Sequence, residues 1–98
     1  MMEFKENELY QEIGIYVDGV NVGEAEVDLH GKMLSRLSIA EPYQGKGYGT
    51  EAVRMLNDKY GCNILWVNAD NDKAIKTYEK NGYKIDKPGM YIMRRDSE

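Results

Sequence analysis

Three glycines on alternate positions, Gly45, Gly47 and Gly49, stand where one hydrophobic period gives way to another. Before them Met33 to Ala40 reads as a strand. After them Ala52, Val53, Leu56 and Tyr60 recur at spacings of three and four, the period of an amphipathic helix, and Gly61 fits its C-terminal stop. A strand-to-helix junction therefore occupies the middle of the chain, and the other elements must be arranged about it. With 98 residues there is room for one domain only, expected to span residues 1–98.

Upstream of the junction Leu9, Ile13, Ile15 and Val17 alternate with Glu12, Tyr16 and Asp18, the period of a half-buried strand. Asp18-Gly19 is a hairpin signal, and beyond it Ala25, Val27 and Leu29 alternate with Glu24, Glu26 and Asp28. His30-Gly31-Lys32 supplies a second turn into Met33 to Ala40, whose weaker alternation predicts burial on both faces. Downstream, Asn63 to Ala69 holds the apolar run Ile64-Leu65-Trp66-Val67, expected as a central strand buried on both sides and parallel to a neighbour. Asp70 or Asn71 caps a helix over Asp72 to Asn81 with Ala74, Ile75 and Tyr78 as its buried stripe. Tyr83 to Asp86 and Met90 to Arg94 then form a last hairpin around Pro88-Gly89. The expected order is βββαβαββ, an α+β or mixed α/β fold with two helices on a partly parallel sheet, and with frayed ends at Met1 to Asn7 and Asp96 to Glu98.

Composition narrows the functional classes. Thirteen basic against seventeen acidic residues, a net charge of −4, argue against binding nucleic acid by neutralising phosphates. No apolar run approaches the roughly 18 to 20 residues of a membrane span, and the first nine residues carry three Glu where a signal peptide would be basic and then apolar. A cytoplasmic protein without a membrane partner is expected. One cysteine, Cys62, and one histidine, His30, fall short of a structural zinc set, and Cys62 reads as a small buried residue, so no metal is expected.

The segment Gln44-Gly45-Lys46-Gly47-Tyr48-Gly49-Thr50 lets successive backbone N–H groups converge at a helix start, where the macrodipole and Lys46 favour an anion such as a pyrophosphate. A flexible turn that merely needs positive φ is the plain alternative. A Walker loop would need Lys-Ser/Thr after the last glycine, and the dinucleotide fingerprint would need Gly where Thr50 stands. What fits is Gln-x-x-Gly-x-Gly at Gln44, Gly47 and Gly49, which resembles the acetyl-CoA loop of the GNAT superfamily of N-acetyltransferases.

The resemblance covers roughly Met33 to Tyr83. Leu37 to Tyr43 looks like the family's strand and lead-in, and Trp66-Val67 followed by Asn71, Ala74, Tyr78 and Gly82-Tyr83 is similar to its second signature. It implies acetyl-CoA as co-substrate, held by Gln44, Gly45, Lys46, Gly47, Tyr48, Gly49 and Thr50. Backbone groups near Leu37 and Ile39, with Asn71, would meet the pantetheine arm, and Tyr78 would be the general acid for the departing thiolate. Asn71 and Tyr78 lie seven residues apart, on one helical face and roughly 10 Å apart along the axis.

Two departures stand out. Where some family members carry a glutamate base just before the Val67 position, this chain has Trp66, whose indole cannot titrate, so the base is unassigned. Glu24 and Glu26 could act through water or be a solvated strand face, and His30 in its turn is no better. The family's usual opening strand and two roofing helices are also expected to be absent, leaving the acceptor site open or completed by a second copy. The leading reading is an acetyl-CoA-dependent N-acetyltransferase working by direct attack of an amine in a ternary complex, with a homodimer as partner state. A non-catalytic acetyl-CoA-binding regulatory protein is the alternative.

Overall fold

A computed structural model describes residues 1–7, 12–68, 70–87 and 92–96. The strands are β1 (Met2–Asn7), β2 (Glu12–Val17), β3 (Val20–Asp28), β4 (Met33–Ile39), β5 (Ile64–Trp66), β6 (Lys84–Lys87) and β7 (Ile92–Arg94). The helices are α1 (Tyr48–Tyr60) and α2 (Asp72–Lys80). All seven strands form one sheet in the order β1-β2-β3-β4-β5-β7-β6. β1 to β4 are an antiparallel meander, β5 runs parallel to β4, and β7 is antiparallel to both β5 and β6.

The register decides which face is buried. Met2 and Phe4 pair with Val17 and Ile15, Ile13 pairs with Ala25, Val27 with Leu34, and Leu65 with Met93, so these side chains share one face. Ala52, Val53 and Leu56 of α1 and Tyr78 of α2 join most of them in one core cluster, which puts both helices on that face. Two successive crossovers of the same hand, β4-α1-β5 and β5-α2-β6, require this arrangement. The opposite face of the sheet carries no helix among the described residues.

Five expectations are corrected. The order is ββββαβαββ, because Met1 to Asn7, expected to fray, contains β1. The opening strand is thus present, and only residues 8–11 separate it from β2, too few for two helices. β1 escapes the sequence pattern because it is an edge strand: Met2 and Phe4 supply its apolar row, while Glu3 and Lys5 charge the other. Leu29, expected in the second strand, lies beyond β3 and is 64% exposed, since Asp28 Oδ1 accepts from the N–H groups of His30 and Gly31 and turns the chain there. β4 and β5 are not buried on both faces: Ser35, Arg36 and Ser38 are exposed, and Trp66 is 51% exposed. The second helix ends at Lys80 rather than Asn81, whose backbone N–H is the cap.

The parallel β4–β5 pairing, the two helices and the turn at Asp18-Gly19 are as expected. Leu9, Ala69 and the Pro88-Gly89 turn with Met90 lie outside the described residues.

Candidate active site

β4 and β5 pair at only two positions, Met33 with Ile64 and Leu34 with Leu65. Beyond them β4 continues to Ile39 with no β5 beside it, so the sheet opens into a gap. Ala40 donates its N–H to Val22 O at 2.8 Å, which turns the polar groups of Ala40 toward β3. By the two-residue period of a strand, those of Leu37 and Ile39 turn away from β3, into the gap. Gln44 Nε2 fixes the end of β4 by donating to Ile39 O at 2.8 Å, so that carbonyl is already engaged.

The glycine loop follows. Gly45 and Gly47 have φ of 79° and 83°, a region in which a side chain is strained. An added Cβ would meet nothing within 4 Å at either, so backbone conformation and not space demands glycine there. Gly47 is the N-cap of α1 and supplies no side-chain cap. The first bond of the helix runs from Glu51 N to Gly47 O at 3.1 Å, which leaves the N–H groups of Tyr48, Gly49 and Thr50 without intrahelical partners. Tyr48, Gly49 and Thr50 line a cleft of about 550 Å³.

The cleft gathers nearly every residue singled out in the sequence. Leu37 and Ile39 form one wall, Gln44, Gly45, Gly47, Tyr48, Gly49 and Thr50 the loop end, and Asn71 and Tyr78 the opposite wall. Lys46 is exposed in the loop and does not line the cleft. Asn71 caps α2, its Oδ1 accepting from Ala74 N at 3.2 Å.

Tyr78 is 8% exposed and packs edge-on against Tyr83 with ring centroids 6.0 Å apart. Burial pushes its hydroxyl above the ordinary tyrosine range, so it holds its proton at neutral pH. Among the described residues that hydroxyl has no hydrogen-bond partner, yet none of their buried polar side-chain atoms is unsatisfied. Its oxygen therefore touches the solvent of the cleft. Tyr83, by contrast, donates to Asn57 Oδ1 at 2.9 Å in the core, and its pKa is pushed up to about 12, chiefly by burial. Cys62 is fully buried and its thiol is likewise raised by burial, as a packing residue would be.

Sequence reasoning missed a basic stripe. Lys73, Lys76 and Lys80 fall at i, i+3 and i+7 of α2, line the cleft, and form no ion pair with any described residue. The spacing was readable, but a lysine face on a helix is ordinarily just solvated. Glu24 and Glu26 lie outside the cleft on the bare face, both bound to Arg36, at 3.6 and 3.3 Å.

The family model described as acetyltransferase (GNAT) family matches residues 3–83, and the chain belongs to that family. Among curated relatives, mycothiol acetyltransferase of Corynebacterium efficiens is 43% identical over 54 residues, half of this chain and 18% of that protein. Spermine/spermidine N(1)-acetyltransferase of Bacillus subtilis is 30% identical over 97 residues, 83% of this chain and 64% of that protein. Among solved structures, the PaiA N-acetyltransferase of Thermoplasma acidophilum in complex with coenzyme A superposes with a TM-score of 0.65 at 25% identity. The match takes in 87% of this chain and 59% of that one. The chain thus spans less than two thirds of the length of these relatives.

Proposed function

We propose that this protein is an acetyl-CoA-dependent N-acetyltransferase in which an amine attacks the thioester directly. The observation that carries the reading is the convergence, in one cleft, of three unpartnered helix-start N–H groups, the opened edge of β4 and the free Tyr78 hydroxyl. The N–H groups of Tyr48, Gly49 and Thr50 suit the pyrophosphate of CoA, with Lys73, Lys76 and Lys80 adding positive charge beside it. The pantetheine arm would run along Leu37 and Ile39 and past Asn71, extending the β4 edge as a short strand. The thioester carbon then lies in the gap, reached from the helix side by the cofactor and from the bare face by the acceptor.

The chemistry follows from the charges. A primary amine of pKa near 10.4 is about one part in 2,500 neutral at pH 7, so deprotonation costs about 4.6 kcal/mol before attack. The amine nitrogen bonds to the thioester carbon, the carbon–sulfur bond breaks, the sulfur takes the Tyr78 proton, and the new amide sheds its extra proton to water. The relative from Bacillus subtilis is named for spermine and spermidine, which puts cationic polyamines first among candidate acceptors. We place the protein in the cytoplasm, with a homodimer as its working state.

Thiol release from acetyl-CoA, measured across a panel of amines, tests the reading: one acceptor should raise it well above the rate without protein. The second reading, a regulatory protein that binds acetyl-CoA without turnover, is favoured by the uncovered sheet face and by the indole where a base would stand. Saturable CoA binding with no thiol release on any acceptor would select it.

A further inference from the structure

The face of the sheet opposite the helices carries no helix among the described residues, and the proposed reaction uses only its β4–β5 gap. By register it carries Glu3, Lys5, Glu12, Glu24, Glu26, Asp28 and Arg36 on the β1–β4 half. Arg36 sits among three carboxylates, 3.9 Å from Glu12, 3.6 Å from Glu24 and 3.3 Å from Glu26. That half therefore carries five carboxylates against two cations. The β5–β7–β6 half carries Lys84 and Arg94, with Asp86 bound to Arg94 at 2.8 Å. Its charge is the opposite one. Between the halves runs an apolar band of Met33, Ile64, Trp66 and Ile92, in which Met33 pairs with Ile64 and Trp66 with Ile92. Ile92 is only 9% exposed yet lies outside the main core cluster, whereas Trp66 is 51% exposed.

We infer that this bare face is a homodimer interface, in which a second copy packs face to face about a two-fold axis parallel to the central strands. Such an axis lays the acidic half of each sheet on the basic half of the other, and stacks the apolar bands with Trp66 near the middle. An axis perpendicular to the strands would instead set acid on acid. The domain measures 38 × 29 × 22 Å, so a face spanned by its two longer dimensions offers area on the order of 1,000 Å². A standard stable interface needs about 800 Å² per partner. The arrangement deepens the dimer proposed above: the partner's sheet becomes the far wall of the acceptor side of the β4–β5 gap, which this chain alone leaves open. The acceptor would enter along the axis, where β4 and β5 diverge.

Trp66 is the only tryptophan of the chain and reports directly on this contact. The test follows the intact wild-type protein without acetyl-CoA through a dilution series, by light scattering and by tryptophan emission with acrylamide quenching. A dimer is expected at the concentrated end, with emission shifted to the blue and quenching several-fold weaker than in the dilute monomer. Added salt should weaken the dimer. Trp66→Glu and Arg94→Glu should each be folded by circular dichroism and monomeric at concentrations where wild type is dimeric. A monomer at every concentration overturns the inference. So does a dimer whose Trp66 stays as quenchable as in the monomer, because its interface must then lie at a sheet edge or on the helices. Since no step uses acetyl-CoA, these outcomes leave the acetyl-transfer reading to its own assay.

Discussion

Gly49 offers a perturbation whose effects on folding and on binding should have opposite signs. It lies in the first turn of α1 with ordinary helical geometry, unlike Gly45 and Gly47. A Cβ built there would sit 3.9 Å from Ile39 Cγ1 and 3.9 Å from Thr77 Cγ2, ordinary van der Waals distances to two residues that line the cleft. Gly49→Ala therefore displaces nothing in the free protein, and replacing a helical glycine should add up to about 1 kcal/mol of stability. That is worth up to roughly 4 to 8 °C in melting temperature for a domain of this size. In the proposed complex the same methyl would crowd a pyrophosphate bound at the helix-start N–H groups. Losing one hydrogen bond to a charged group costs about 1.5 to 3 kcal/mol, or roughly ten- to a hundredfold in Kd. Gly47→Ala is the control: at φ of 83° it should lose about 1 to 2 kcal/mol of stability. Thermal melts paired with calorimetric titration of CoA separate the two variants. A Gly49→Ala protein that binds CoA as wild type does would refute the pyrophosphate assignment, and one that is destabilised would refute the account of the packing.

Tyr78→Phe should lower kcat on the order of 10²-fold with unchanged CoA affinity and melting temperature, because in the proposed mechanism the lost hydroxyl would act on the leaving thiolate, and it holds no hydrogen bond to a described residue. Since burial raises the Tyr78 pKa, the acid stays protonated as pH rises, and its alkaline loss of activity should fall above about pH 10; a limb near pH 8 in the wild-type kcat profile would need another acid. Replacing Lys73, Lys76 and Lys80 together by alanine should weaken CoA binding and flatten its salt dependence, read by titration at two ionic strengths. Asn57→Ala should destabilise by about 1 to 3 kcal/mol by leaving the buried Tyr83 hydroxyl without its acceptor, and a denaturation cycle with Tyr83→Phe should show the two changes to be strongly non-additive.

Where a backbone constraint admits few residue types, the sequence was readable. Gly45 and Gly47 at positive φ, Asn71 as a capping acceptor and Gly61 at φ of 69° closing α1 each leave a signature that needs no knowledge of the rest of the fold. Where the environment decides, it was not. Ile64-Leu65-Trp66-Val67 reads as a strand buried on both faces, but only Leu65 and Val67 pack on the core that holds the helices, and Trp66 is exposed on the face that carries no helix among the described residues. Lys73, Lys76 and Lys80 became candidate ligands only once α2 was seen to lie along the cleft.

The same contrast bears on how the proposed acyl-CoA cleft can form on a sheet whose other face carries no helix among the described residues. With four residues between them, β1 and β2 become direct hairpin neighbours, and β1 is tied to the helix layer at its far end. There Glu6 accepts from the Tyr60 hydroxyl and pairs with Lys59 Nζ at 2.8 Å, both at the C-terminus of α1. These bonds hold the Glu6 carboxyl below the usual carboxylate range. The meander is thus anchored from the helix side alone. On the bare side, the exposed carboxylates of Glu12, Glu24 and Glu26 are drawn together across three strands by Arg36, which offsets the repulsion that like charges on neighbouring strands would cause. The cleft, the gap and Tyr78 depend on β4, β5 and the two helices, none of which needs a cover on that side. In the proposed reaction, selection among acceptors would consequently come from the bare face, from Trp66 and the carboxylates around Arg36, or from a second copy laid against them.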